Sequence, residues 1–62
     1  MSWRIRVTDE LMELTLRVNR LTDFLHLVRD VPEPEQSRLK RQLGVMIEYQ
    51  MILRERIEAG FR

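Results

Sequence analysis

Apolar side chains recur in alternating steps of four and three along two stretches of this chain, Val7-Leu11-Leu14-Val18-Leu21-Leu25-Val28 and Leu39-Leu43-Met46-Gln50-Leu53-Ile57. That spacing draws one apolar seam down the side of an α-helix, and only Gln50 interrupts it. Between the stretches lies Val31-Pro32-Glu33-Pro34, where two prolines remove backbone donors and make a continuous helix costly. If the chain folds back there, seam residues pair with indices that sum to 64: Val7 with Ile57, Leu11 with Leu53, Leu14 with Gln50, Val18 with Met46, Leu21 with Leu43 and Leu25 with Leu39. The expected fold is all-α, an antiparallel two-helix hairpin of coiled-coil character. Residues 1–62 form one helical-hairpin domain in this reading, with helix 1 over about 3–30, a linker at 31–33 and helix 2 over about 34–60.

A chain of 62 residues is at most one domain, and chains of this size bury only about 60% of their unfolded surface even when compact. It has no cysteine, which removes disulfides and thiolate metal sites as staples and leaves oligomerisation as the remaining one. The hairpin is therefore expected to assemble, at least as a dimer, into a homo-oligomeric helical bundle. No apolar stretch approaches the roughly 18 residues a membrane span needs. Met1-Ser2-Trp3-Arg4-Ile5-Arg6 is too short and too charged for a secretory leader, so a cytoplasmic protein is expected.

Helix 1 can be capped by Ser2 or Thr8, and helix 2 is read as starting with Pro34 at its first position and ending at Gly60. Gly44, inside helix 2, marks either a close helix approach or a tolerated surface position. Gln50 faces Leu14 in the seam, where a polar residue fixes register by demanding a hydrogen-bond partner.

The seam assignment leaves two flanks. On one, the heptad g positions are Glu10, Arg17 and Phe24 on helix 1 and Gln42, Tyr49 and Arg56 on helix 2, with Val45 and Ile52 widening the same side. The register sets Glu10 by Arg56, Arg17 by Tyr49 and Phe24 by Gln42, which would give an ion pair, a cation–π contact and an amide against an aromatic edge. This row is the candidate subunit interface or ligand site. The other flank carries Thr8, Thr15 and Thr22 facing Lys40, Ile47 and Arg54, with Met12, Leu16 and Met51 farther round. Most of these side chains are smaller or more polar. Met12, Leu16 and Met51 form at most a second, modest apolar patch, read either as ordinary exposed surface or as a second assembly contact or docking surface for a partner helix.

Catalytic constellations find little material. There is one histidine, His26, and no cysteine, no glycine-rich phosphate loop and no paired carboxylate–histidine metal motif, so neither an enzyme nor a cofactor or metal site is expected. The formal net charge is +1, which gives no field for phosphate-dominated binding and argues against nucleic acid as a partner. Ten of the eleven basic residues are arginine, the cation suited to bidentate pairing and to stacking. Trp3 either packs over Phe61 or offers a stacking platform.

Arg6-Val7…Glu10…Glu13-Leu14…Arg17-Val18…Arg20-Leu21…Phe24-Leu25, then Leu39…Gln42-Leu43…Met46…Tyr49…Leu53…Arg56-Ile57, resembles a group of small phage and prophage helical-hairpin proteins of similar length. Arginine stands at positions 17 and 20 where that pattern would often carry lysine, and the linker is proline-rich where it would hold an aromatic residue. The resemblance implies a phage-borne protein that works in a bacterial cell by occupation. Its first expectation is a host-directed inhibitor or counter-defence module that binds a host protein. The alternative is a sponge that sequesters a cyclic nucleotide signal in an Arg/Tyr-lined site between subunits, and a small structural or assembly role stands third.

Overall fold

The computed structural model describes residues 2–60 as two helices, α1 (Trp3–Leu27) and α2 (Glu35–Gly60), packed against each other as a hairpin with principal extents of 45 × 15 × 15 Å. Ser2 starts α1: its backbone is extended and its hydroxyl accepts from the Arg4 amide at 3.2 Å, which satisfies one of the donors a helix start leaves open. Thr8 lies inside the helix. Its hydroxyl donates instead to the Arg4 carbonyl at 2.8 Å.

α1 stops at Leu27, about three residues short of the end expected from the sequence, and Val28 turns to extended backbone. What bars the helix from running on is Pro32. In a continuing helix its ring would strike the carbonyl of the residue four earlier, which is Val28, and no N–H would be present to bond that carbonyl. Val28 satisfies its own N–H by donating to the Phe24 carbonyl at 2.8 Å. The linker is accordingly longer than expected, residues 28–34, and α2 begins at Glu35 with Pro34 just outside it. The Pro34 carbonyl accepts from the Arg38 amide at 3.1 Å, and the Pro32 carbonyl accepts from Gln36 at 3.1 Å. The Ser37 hydroxyl donates to the Glu33 carboxylate across the same turn.

All thirteen seam residues are buried or half-buried. The core consists of Val7, Leu14, Val18 and Leu53, with Leu11, Leu43, Met46 and Ile57 packed against it. Gln50 is buried among them, and its amide N–H donates to the Thr15 hydroxyl at 3.0 Å, while that hydroxyl donates to the Leu11 carbonyl at 2.8 Å. The partner that a polar seam residue requires therefore comes from beside the seam.

The two glycines differ. A Cβ built on Gly44 would meet nothing within 4 Å, so α2 makes no close approach there, whereas one on Gly60 would lie 2.5 Å from the Trp3 ring. Gly60 keeps helical backbone with negative φ, and it is there for space. The expected contact of Trp3 with Phe61 falls outside the described residues. What the structure has is Trp3 against Gly60, with the Arg4 guanidinium 5.6 Å from the ring centre, a distance at which a cation is attracted to the indole face. No helix among the described residues is long and apolar enough to cross a membrane.

Candidate functional site

The g-position flank divides into two groups. Near the end closed by Trp3 and Gly60, the Tyr49 hydroxyl of α2 donates to the Glu10 carboxylate of α1, and Arg56 is near enough to act on the same phenol. Nearer the turn, Arg17 meets Glu13 of its own helix at 4.0 Å, and the Gln42 amide reaches Met46 Sδ on α2 at 3.9 Å. Phe24 stands there 41% exposed.

The expected rungs Glu10–Arg56, Arg17–Tyr49 and Phe24–Gln42 are thus replaced. The register is the expected one, and donor and acceptor chemistry chose the partners. Contacts such as Trp3 with Gly60 and Thr15 with Gln50 fix residues whose indices sum to 63–65 as level, so Tyr49 stands level with residues 14–16, between Glu10 and Arg17 rather than opposite either. A phenol needs an acceptor, which the carboxylate offers and the guanidinium does not. Arg17, outbid for the tyrosine, turns to the carboxylate one helical turn before it.

This bond sets the electrostatics of the flank. The Glu10 carboxylate holding the phenol proton raises the Tyr49 pKa above the ordinary tyrosine value, with further upward pushes from desolvation and from the charge of Glu10, and Arg56 pulls the other way. Tyr49 itself is 38% exposed, so one edge of the ring is tethered and the rest is offered outward. An anchored aromatic with a guanidinium within electrostatic reach is material for stacking a planar group and holding an anion. Val45 and Ile52 extend the same side of α2 and are exposed.

The opposite flank is more apolar than its residue types suggest. The hydroxyls of Thr8, Thr15 and Thr22 donate to the carbonyls of Arg4, Leu11 and Val18 at 2.8, 2.8 and 2.7 Å. Threonines at a regular seven-residue spacing on a helix were the available signal, since such hydroxyls bond back to the preceding turn. The row therefore has no hydroxyl hydrogen left to donate outward. Ile5, Met12, Leu16, Ile47 and Met51 are exposed around it, and two shallow, mostly apolar hollows follow one another along α1. Ser2, Arg4, Ile5, Thr8 and Asp9 line the first, and Leu11, Met12, Thr15, Leu16 and Arg54 the second.

A further small hollow near the turn is lined by Leu25, His26, Arg29 and Gln36. There the His26 Nδ1 donates to the Thr22 carbonyl at 2.8 Å, an acceptor that fixes the proton on that nitrogen. Among the described residues, no group of three or more His, Cys, Asp or Glu side chains could hold a metal ion.

Compared with known proteins, the chain matches the family model described as Sequestin over residues 1–59. No curated protein matches and no solved structure matches.

Proposed function

The chain belongs to the Sequestin family, and from that premise we propose that it is a non-enzymatic sponge for a cyclic nucleotide signal, held on the Glu10–Tyr49–Arg56 flank where two copies meet. The observation that carries this reading is the tethered tyrosine. Its ring is half-open, fixed at one edge by Glu10 and within electrostatic reach of Arg56, which supplies a stacking surface for a base and a cation for a phosphate in one place. Arg17, Phe24 and Gln42 continue the flank and provide a second cation, a second aromatic and an amide for base edges. A flat flank on one hairpin leaves a small ligand largely in water, and a second copy closes it. The description of the family supports sequestration over inhibition of a host protein. In this reading the protein is phage-borne and acts in the cytoplasm of a bacterial host.

The test is a thermal shift screen of the full chain against cyclic di- and trinucleotides. A ligand at 100 times its Kd adds about 2.7 kcal/mol to apparent stability, and Tyr49→Ala and Arg56→Ala should each abolish the shift. No shift with any cyclic nucleotide, together with recovery of one host protein by the immobilised chain, returns the function to the inhibitor reading.

A further inference from the structure

The flank opposite the candidate site has no role in sequestration as proposed, yet it holds five of the eleven exposed large apolar side chains of the described residues. We infer that this face, centred on Met12, Leu16, Ile47 and Met51, is covered by a second copy of this chain, related to the first by a two-fold axis parallel to the helices. The proposal goes beyond the sequestering reading and does not rest on it.

Area, surface chemistry and charge each support a second copy as the occupant. A compact monomer of 7.6 kDa exposes about 4,300 Å² by the scaling of surface with mass. This hairpin exposes 5129 Å². The excess, about 800 Å², is close to what each partner buries in a standard stable interface. The surface chemistry fits dry contact, because Thr8, Thr15 and Thr22 have committed their hydroxyl hydrogens to their own helix, and Thr8 and Thr15 line the two mostly apolar hollows.

Charge then selects the orientation. Along α1 the outer positions seven apart read acidic, apolar, acidic: Asp9, Leu16, Asp23. Along α2 the positions seven apart on this face read basic, apolar, basic: Lys40, Ile47, Arg54. Their indices sum to 63, the same level at which Trp3 meets Gly60 inside the hairpin. A two-fold axis parallel to the helices preserves that level between copies and lays α1 of one beside α2 of the other, antiparallel. It brings Asp9 level with Arg54 of the second copy, Leu16 with Ile47 and Asp23 with Lys40, and repeats the match on the other side of the axis. Exposed ion pairs add little affinity each, but opposite rows meeting twice decide which face and which direction are used.

The experiment is light scattering of the full chain without nucleotide, with two charge-swapped chains. One carries Asp9→Lys and Asp23→Lys, the other Lys40→Asp and Arg54→Asp, all at exposed positions. The unmodified chain should show the mass of two copies or an even multiple. Each swapped chain alone should self-associate at least tenfold more weakly with its helicity kept, and an equimolar mixture should recover association, because its rows again oppose. A single-copy mass for the fully helical unmodified chain would overturn the proposal. So would swapped chains that associate as the unmodified chain does. Swapped chains that associate unchanged would overturn this face alone and leave the Tyr49 flank as a meeting place of copies, so the two readings fail separately, and only a single-copy mass counts against both.

Discussion

The half of the hairpin nearest Trp3 and Gly60 and the half nearest the turn carry the same apolar spacing but not the same burial. In the first half Val7, Leu14, Gln50 and Leu53 are buried and Leu11 and Ile57 half-buried; at the middle Val18 is buried and Met46 half-buried; in the second half Leu21, Leu25, Val28, Leu39 and Leu43 are all only half-buried. The cross-helix bonds from Gln50 to Thr15 and from Tyr49 to Glu10, and the contact of Trp3 with Gly60, all fall in the first half. Near the turn, Leu27 is 81% exposed. An apolar period thus decides which side of a helix faces its partner, while the depth of burial follows from ties between the helices and from where α1 is forced to stop.

The largest expected effect separates the halves directly. Leu53, with no exposure at all, should cost about 2–5 kcal/mol when changed to alanine, and Leu43→Ala roughly half that, since only part of its side chain leaves water on folding. Chemical denaturation of the two variants measures both. Equal costs would break the comparison and show the turn half to be as well packed as the other. Amide exchange should sharpen it, with the slowest amides near Leu14 and Leu53 and earlier opening near the turn.

Next comes the polar tie. Thr15→Val keeps shape but removes the acceptor of the buried Gln50 amide, at a cost of about 1–3 kcal/mol, whereas Thr15→Val with Gln50→Leu should return most of it. If the double variant melts as low as the single one, the bond is not what holds this half together.

The thirteen seam residues were legible in the sequence because a seven-residue period needs only identity and spacing. The end of α1 was not, because Val28 continues the apolar period and Pro32 bars a helix only from running through it, so neither signal marks Leu27 as the last helical residue. The cross-flank partners escaped for a different reason: index sums give height along the rod and set Tyr49 closer in level to Arg17 than to Glu10, yet donor and acceptor chemistry chose Glu10. The threonine row looked polar by composition, and its hydroxyl hydrogens are all donated within its own helix.

The two glycines test the halves at smaller amplitude. Gly44→Ala, with nothing near its Cβ, should stabilise the hairpin by up to about 1 kcal/mol through helix propensity. Gly60→Ala should show no such gain, because its methyl displaces Trp3. Thermal melts of both check this, and equal gains would remove the close approach at Gly60.

The smallest effect is a pH dependence. The raised Tyr49 pKa means that the folded state holds this proton more tightly than the unfolded chain does. Its contribution is therefore fully present below the ordinary tyrosine value of about 10 and is lost as pH rises through the higher folded value. The melting temperature of the unmodified chain should fall more steeply above about pH 10 than that of Tyr49→Phe. Parallel curves would show that the bond to Glu10 does not persist in solution.

The chain has a single tryptophan, and it is stationed at one extremity of a 45 Å rod. Indole emission is therefore a local probe of the closed end, blind to events at the turn, while circular dichroism averages over both helices. If the turn half unravels first on heating, the ellipticity curve leaves its baseline before the emission does. The interval between the two onsets then gives, in an unlabelled sample, the order in which the halves come apart.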